Sequence, residues 1–276
     1  MRYKITIEYD GSYYCGWQRQ DGLVSIQGSI EEALKNTVGY NVDLFGSGRT
    51  DAGVHALNQV AHFDLNSDFS EYKIVQALNF YLREQTTNRY NEWKKIVKSF
   101  KIQNKQIFYD LIPFIKQDIS IKSCEKVSDE FDARFSATER SYKYYIYNSR
   151  IPSALMQNRA WWVVKELNIE KMEEASKFLI GRMDFSSFRA AECQAKSPVK
   201  TVNYCSFSKN DDLIIFEIKA KSFLHHMVRN IIGTLKDVGT GKITVDDFKK
   251  IIDSKDRKIA GVTAPAYGLY LDKIRY

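Results

Sequence analysis

Apolar and polar residues alternate over the first positions of the chain. The odd-numbered residues from Tyr3 to Tyr9 are apolar or aromatic, and the residues between them are charged or polar. A period of two residues is typical of a β-strand that buries one face. Arg2–Tyr9 is therefore predicted to be a strand, with a turn at the Asp10-Gly11 pair that follows.

A spacing of four residues replaces this alternation from Ile26 onwards. Ile30, Leu34 and Val38 continue the series, so one side of a helix would be apolar. Gly39 follows the last apolar position, where a left-handed residue commonly ends a helix. This segment is predicted to be an α-helix that packs on the sheet.

Weaker patterns of the same two kinds recur through the rest of the chain. Alternation predicts strands at residues 59–65, 141–148, 199–207 and 213–220, with a turn at 209–212. Helical spacing predicts helices at residues 72–82 and 223–238, the second being the clearest in the chain. Asn168 is a candidate cap for a third helix, which Gly181 would end.

Strands and helices mixed in this way indicate an α+β protein. Hairpin signals in the second half, after a strand-helix order in the first, predict two similar units that join near residue 137. The N-terminal unit would span residues 1–136, and the C-terminal unit would span residues 137–276.

The composition narrows the class of partner. The chain has 276 residues, of which 44% are hydrophobic, so it can bury a substantial core in one large or two modest domains. Lys and Arg number 41 against 34 Asp and Glu, which gives a net charge of +7. A basic balance favours a polyanionic partner such as nucleic acid or a phospholipid surface.

Cysteine usage and hydropathy bear on the compartment. Cys15, Cys124, Cys193 and Cys205 form no C-x-x-C pair, so neither a zinc ribbon nor a dense disulfide framework is expected. A reducing cytoplasm fits best. Acidic residues occur within the first ten positions, and no run of about 18 apolar residues is present. We therefore expect neither a signal peptide nor a membrane span.

Residues 83–106 form a basic segment. Its apolar residues fall at helical spacing, which predicts a short amphipathic helix. A solvated helix on the protein surface and direct contact with RNA are equally good interpretations. The seven basic residues of the segment are Arg83, Arg89, Lys94, Lys95, Lys98, Lys101 and Lys105.

The segment of residues 46–56 combines three glycines with Arg49, Asp51 and His55. Glycines let a backbone approach a phosphate closely, but Val54 stands where a Walker loop needs lysine, and Asp51 breaks the dinucleotide pattern. What remains is an aspartate on a tight turn beside an arginine. On residue types alone, a structural Asp-Arg pair that braces the loop is a commoner explanation than catalysis.

Longer motifs change that balance. Residues 48–55 read G-R-T-D-A-G-V-H, and this segment resembles the surroundings of the catalytic aspartate in the TruA family of pseudouridine synthases. The resemblance covers nearly the whole chain except residues 83–111, where the chain carries an insertion relative to the family pattern. The other matching segments are Y-D-G at 9–11, G-W-Q at 16–18, F-D-A-R-F-S-A at 131–137, R-S-Y-K-Y at 140–144, D-F-S-S-F at 184–188, H-H-M-V-R-N at 225–230 and A-P-A-Y-G-L-Y-L at 264–271.

The resemblance implies a fold, an activity and partners. It implies the pseudouridine synthase fold, with two similar halves that each have an antiparallel sheet flanked by helices around a central cleft. It implies conversion of uridine to pseudouridine in the anticodon stem-loop of tRNA, at positions 38, 39 and 40, without a cofactor. It also implies a cytoplasmic homodimer with tRNA lying across both subunits, and no membrane partner.

The resemblance also assigns residues. Asp51 would be the nucleophile, acting either at C6 of the base or at the ribose. Arg229 would be its ion-pair partner, which keeps the carboxylate charged. Tyr142 would stack on the target base, and its hydroxyl could help to move a proton. Arg49 would grip a phosphate or fill the gap that a flipped nucleotide leaves.

The histidines are expected to play smaller parts. His225 and His226 would point about 100° apart on a helix, and no carboxylate or cysteine lies at ligand spacing, so no metal site is expected. His55 and His62 are expected to be structural.

Two other classes of function stay open. One is a basic RNA-binding module whose chemistry is incidental. The other is a small-molecule enzyme with an aspartyl intermediate, which is weak because no D-x-D motif or nucleotide loop accompanies Asp51.

Overall fold

A computed structural model describes residues 1–99 and 117–276, with the backbone alone for residues 93–99. Its described elements form a mixed α+β architecture, in which helices flank one large sheet. The helices are α1 Ile26–Val38, α2 Glu71–Ser99, α3 Ile169–Ser176, α4 Met227–Gly239 and α5 Val245–Ser254. The strands are β1 Arg2–Tyr9, β2 Phe45–Gly46, β3 His55–Asp64, β4 Ile119–Val127, β5 Glu139–Asn148, β6 Trp161–Val163, β7 Gly181–Asp184, β8 Val199–Asn210, β9 Leu213–Ala220 and β10 Leu269–Arg275.

The sheet joins the two ends of the sequence. Its strand order is β4-β1-β3-β10-β5-β9-β8-β7, with β2 paired to β3 and β6 paired to β5. Neighbouring strands along the main order are antiparallel except at the centre, where β10 runs parallel to β3 and pairs Tyr270 with His55. The last strand of the chain therefore lies between the first-half and second-half strands.

The strand predictions are confirmed with small changes at the ends. Strands β1 and β9 have the predicted bounds, while β3 and β5 begin earlier and β8 ends later than their patterns indicated. Burial alternates along β1 and β9 as a period of two requires. Strands β2, β4, β6, β7 and β10 were not predicted, because they are short or lack a clear alternation.

Helix ends depended on the local caps. Helix α1 matches its prediction: Ser25 caps it by accepting from the Gly28 amide, and Gly39 ends it at φ +84°. Asn168 caps α3 by accepting from the Lys171 amide. This helix ends at Ser176 and not at Gly181, because a 3₁₀ turn at Lys177–Leu179 follows it.

Two helix predictions need correction. The predicted helix at 72–82 and the separate short helix of the basic segment are one helix as far as Ser99, because α2 runs unbroken over Glu71–Ser99. The rest of the basic segment lies outside the described residues. The predicted helix at 223–238 begins only at Met227, because His226 adopts left-handed φ +60° and interrupts the helical hydrogen bonds there.

Buried apolar side chains form two clusters, one on each part of the sheet. The first is built mainly from β1, β3, α1 and α2, and it also contains Leu271 and Ile274 of β10. The second is built mainly from β5, β8, β9 and helices α3 to α5. Its member Val54 comes from the loop that carries Asp51, so this loop is anchored in the second cluster.

Hydropathy gives one further result. Among the described helices, none is long and apolar enough to cross a membrane.

Candidate active site

The loop between β2 and β3 presents Asp51. The Val54 amide donates to the Asp51 carbonyl at 3.1 Å, which closes a tight turn with Gly53 at φ +78°. Thr50 holds the loop from the other side, because its carbonyl accepts from the Trp17 amide at 3.0 Å. The aspartate thus lies on a backbone that hydrogen bonds restrain on both sides.

Two glycines let the segment after β1 approach this loop. A Cβ on Gly16 would lie 2.6 Å from the Thr50 carbonyl oxygen, and a Cβ on Gly11 would overlap the Val54 carbonyl oxygen. Gly16 also adopts φ +106°, which other residues rarely reach. Close backbone contact with the Asp51 loop therefore explains the glycines of the Y-D-G and G-W-Q motifs.

Helix α4 supplies the basic partner of Asp51. Arg229 Nη1 donates to Asp51 Oδ2 at 2.9 Å, and the two side chains are 15% and 22% exposed. Arg229 is itself held, because its Nε donates to the Ala264 carbonyl at 2.8 Å. The A-P-A segment therefore positions the arginine.

His225 and His226 also reach Asp51, contrary to prediction. They precede α4 and do not lie within it, so the expected angle of about 100° between helical neighbours does not apply. His225 Nε2 lies 3.3 Å from Asp51 Oδ1, and His226 Nε2 lies 3.2 Å from Oδ2. Their ring centroids are 4.0 Å apart.

Burial lowers the pKa of the His226 imidazole below its ordinary value. The negative charge of Asp51 opposes this shift, and the positive charge of Arg229 adds to it. The interaction of this ring with Asp51 is therefore one of charge and proximity, with Nε2 as the nearer nitrogen.

The same geometry overturns the argument that excluded a metal site. That argument required that no carboxylate lie near the histidines, yet the ligand atoms of Asp51, His225 and His226 all lie within 4.8 Å of one another. A second consideration replaces it. The Arg229 guanidinium lies 2.9 Å from the same carboxylate and would repel a divalent cation.

Tyr142 lies on β5, between β9 and β10. Its ring makes an edge contact with Phe223 at 5.1 Å between centroids. Burial raises the pKa of its phenol to about 12, with Arg140 opposing and Asp51 adding to the shift. Within the described part of the chain its hydroxyl makes no hydrogen bond, so it can turn to a ligand.

Arg49 is exposed, and its guanidinium has no partner among the side chains described, those of residues 1–92 and 117–276. The structural brace between Arg49 and Asp51, favoured on residue types alone, is therefore not formed: Asp51 pairs with Arg229 instead.

Arg140 is a site component that the sequence analysis did not single out. Its guanidinium donates to the carbonyls of Ser47, Arg134 and Lys221 at 2.6 to 2.8 Å. Burial lowers the pKa of this guanidinium. These bonds tie the start of the Asp51 loop to two other loops. Its place in the R-S-Y-K-Y segment was the available signal.

The other two histidines lie apart from Asp51. His55 is buried, with Nδ1 3.1 Å from Asp10 Oδ1 and Nε2 3.1 Å from the Asn158 carbonyl. His62 is buried on β3, and its Nδ1 accepts from the Ala133 amide at 3.1 Å. Both therefore contact backbone from other segments.

The fold and this site define a class of enzyme, the pseudouridine synthases: a large mixed sheet flanked by helices, with a G-R-T-D loop beside an arginine from a distant helix. A family model described as tRNA pseudouridine synthase matches residues 5–98 and 175–276, which include Asp51 and Arg229. The chain belongs to the tRNA pseudouridine synthase family.

Three relatives agree over the whole chain. Proteins named tRNA pseudouridine synthase A from Brucella ovis, Brucella canis and Brucella suis are each 43% identical to it over 275 residues. The matched region covers 100% of this chain and 98% of each relative. Tyr142 lies outside the family-model match but inside this longer one. The chain is thus an isomerase that acts on uridine in tRNA.

Proposed function

We propose that this enzyme converts uridine to pseudouridine in the anticodon stem-loop of tRNA, at positions 38, 39 and 40, with Asp51 as its nucleophile. The observation that carries the proposal is the Asp51 carboxylate itself. It lies on a restrained turn, 2.9 Å from Arg229, in a chain 43% identical to proteins named tRNA pseudouridine synthase A.

The reaction needs no external group. The bond between N1 of uracil and C1′ of ribose breaks, the base turns, and C5 joins C1′; the C5 proton leaves, and N1 gains a proton. Asp51 assists by adding either to C6 of the base or to C1′, and leaves again at the end. Either route uses the Asp51 carboxylate, which the Arg229 guanidinium holds through a hydrogen bond of 2.9 Å.

Tyr142 and Arg49 are proposed to contact the nucleotide. The Tyr142 ring would stack on the uracil, and its hydroxyl, without a partner in the described protein, would help to move the C5 proton. Arg49 is exposed on the Asp51 loop. There it would bind a phosphate or occupy the gap that the flipped nucleotide leaves, which offsets part of the cost of unstacking.

Substitution of Asp51 tests the proposal. Purified wild-type and Asp51→Asn proteins are incubated with tRNA, and pseudouridine is mapped by position. We expect wild-type modification at positions 38 to 40, and a loss of about 10⁴-fold or more in Asp51→Asn, since the nucleophile is gone.

Asp43→Asn is the matched control, because Asp43 is an exposed aspartate outside the site. It should be as active as wild type. Equal activity in Asp51→Asn would overturn the role of Asp51, and modification at other positions would overturn the proposed target.

A binding function is the second candidate, and the net charge of +7 favours it. Asp51→Asn should keep the tRNA affinity of wild type, which separates binding from chemistry. A wild-type protein that bound tRNA tightly and formed no pseudouridine would favour the binding module.

The remaining expectations are also proposals. We propose a cytoplasmic homodimer with tRNA lying across both subunits, and a division of each chain near residue 137. The two buried clusters support that division, although strand β10 contributes side chains to both.

A further inference from the structure

A turn without a part in the proposed chemistry lies beside the Asp51 loop. It is the F-D-A-R-F-S-A segment, residues 131–137, which connects β4 to β5. Arg134 and Phe135 lie at its exposed tip, and Phe135 is 78% exposed. Single apolar side chains are common on protein surfaces. The meaning of this ring therefore depends on how the turn is built and on what surrounds it.

Hydrogen bonds restrain the backbone of the 131–137 turn. Asp132 Oδ1 accepts from the amides of Arg134 and Phe135, at 2.7 and 2.8 Å. The Asp132 carbonyl accepts from the Ser136 amide at 2.9 Å. The two exposed side chains thus extend from a backbone that is already ordered, which reduces the entropy that is lost when a ligand binds.

Arg140 places this turn next to the Asp51 loop. Its Nη2 atom donates both to the Ser47 carbonyl at 2.7 Å and to the Arg134 carbonyl at 2.8 Å. Its Nη1 atom donates to the carbonyl of Lys221, the residue after β9, at 2.6 Å. Three segments therefore meet around one buried guanidinium: the 131–137 turn, the start of the Asp51 loop and the end of β9.

Each of the three segments has an exposed basic side chain: Arg49, Arg134 and Lys221. The Arg134 guanidinium lies over the Phe135 ring, with 5.5 Å between its carbon and the ring centroid. A basic surface that carries an aromatic ring binds unpaired nucleotides, because the cations attract phosphates and a base stacks on the ring. Three cations around one ring favour a polyanion over a protein partner, since the cores of protein interfaces are depleted of charge.

We propose that the 131–137 turn is a contact surface for tRNA beside the site. Phe135 stacks on a base that loses its stacking partner when the target uridine leaves the helix, and Arg134 and Lys221 bind adjoining phosphates. This inference rests on the proposed function, because it takes the Asp51 loop as the place where the uridine is held. It adds three residues that bind the substrate outside the chemistry.

Three substitutions of Phe135 test the stacking. Phe135→Ala removes the ring, Phe135→Leu keeps an apolar side chain without a flat face, and Phe135→Trp keeps a flat face. All three keep the amide from which Asp132 accepts, so the turn should be preserved, and equal Tm values verify this. The matched control is Phe80→Ala, since Phe80 is a 65% exposed phenylalanine on α2 and not on a segment that Arg140 holds.

The measured quantity is the Kd for an unmodified tRNA transcript. Phe135→Ala should raise the Kd by about 5- to 150-fold, the usual effect of losing one stack between a base and an aromatic ring. Phe135→Leu should bind nearly as weakly, whereas Phe135→Trp and Phe80→Ala should bind like wild type. A wild-type Kd in Phe135→Ala or Phe135→Leu would overturn the proposal, as would an equal loss in Phe80→Ala.

Salt dependence tests the two cations. Arg134→Gln and Lys221→Gln should each reduce the slope of log K against log salt by about 0.7 to 0.9, the effect of one lost phosphate contact. Arg182→Gln is the control, because Arg182 is an exposed arginine on β7, the last strand in the order of the sheet. An unchanged slope in the first two variants, or an equal change in the control, would overturn the proposal.

Sedimentation of wild type and Phe135→Ala separates tRNA from a second copy of the chain as the partner of the ring. The two should form the same assembly. A smaller assembly in Phe135→Ala would show that the ring faces another subunit, which would overturn the inference.

Binding needs no catalysis, so the inference and the proposed function can fail separately. If wild type formed no pseudouridine, the proposed function would fail, while weaker binding by Phe135→Ala would still support the contact. An active wild type whose affinity for tRNA did not depend on Phe135 would overturn the inference alone.

Discussion

Asp51 depends on side chains that lie far from it in the sequence. Arg229, its ion-pair partner, is 178 positions away. His225 and His226 lie near it in the segment before α4, where His226 adopts a left-handed backbone conformation. The neighbouring Arg49 does not pair with it. At this scale, the surroundings of a residue in space and not along the chain decide its chemistry.

The prediction at the residue scale concerns the hydroxyl of Tyr142. Tyr142→Phe should lower kcat by about 10² to 10⁴-fold, the usual worth of a group that transfers a proton. KM for tRNA should change little, because the ring that stacks on the base is kept.

Tyr145→Phe is the matched control for Tyr142, since Tyr145 lies on the same strand and contacts Tyr270. Single-turnover kinetics give the comparison. If Tyr142→Phe reacted as fast as wild type, Tyr142 would have a stacking role alone.

At the scale of elements, apolar spacing predicted the helices, and Gly39 and Asn168 predicted the end of α1 and the start of α3. Ser25, Gly39 and Asn168 bound helices as their residue types indicate. Helix α4 was predicted too long because Phe223 and Leu224 extend its apolar spacing. Leu224 is buried, but in a turn that its carbonyl closes with the Met227 amide. The spacing of apolar residues indicates which positions are buried. A buried turn next to a helix can continue that spacing, so the helix is predicted too long.

The prediction at this scale concerns the basic extension of α2, the part of the helix from Arg83 to Ser99. Its side chains beyond Glu92 are not among those described, but its backbone is helical as far as Ser99. We expect that replacing the three lysines by glutamine weakens tRNA binding and flattens its dependence on salt. Each lost phosphate contact should reduce the slope of log K against log salt by about 0.7 to 0.9. The three lysines are Lys94, Lys95 and Lys98.

Three exposed lysines near α5 provide a control of equal charge: Lys249, Lys250 and Lys258. Binding is measured from about 50 to 200 mM salt, a range over which such contacts weaken strongly. If both triple variants shifted the slope equally, the effect would be one of net charge and not of the α2 extension.

At the scale of the whole molecule, one sheet connects the two buried clusters. Strand β10 pairs with β3 on one side and with β5 on the other. The site lies across this join, because the Asp51 loop precedes β3, Tyr142 lies on β5, and Arg229 comes from α4. The stability of the fold and the geometry of the site are therefore linked.

Acid should destabilise the fold through His62 and His226. Burial lowers the pKa of His62 below its ordinary value of 6.5, and the nearby Arg2 adds to this shift. The unfolded chain then binds more protons than the folded one. The contribution of His62 is therefore complete above about pH 6.5 and is lost as the pH falls towards the folded value. His226 acts in the same direction.

Chemical denaturation at several pH values measures the effect. His62→Asn keeps an oxygen that can accept from the Ala133 amide but does not titrate, so its unfolding free energy should depend less on pH between about 5 and 7.5. The difference in slope is limited to about 1.4 kcal/mol per pH unit for one proton. Parallel curves for wild type and variant would contradict the argument.

Local patterns determined much of this protein. Alternation predicted β1 and β9, and apolar spacing with Gly39 predicted α1. Asn168 predicted the start of α3, and the G-R-T-D-A-G-V-H segment indicated the family. Such features depend on residues within a few positions of one another, which is why the sequence displays them.

Tertiary structure decided the rest. It joined the two parts of the sheet through β10, gave the glycines of the Y-D-G and G-W-Q motifs their reason, and brought His225 and His226 to Asp51. It also showed Arg140 holding three loops together. These contacts join segments that are distant in the sequence, and they depend on the left-handed backbone of His226 and on backbone carbonyl groups. Neither feature produces a periodic pattern of residues that sequence analysis could detect.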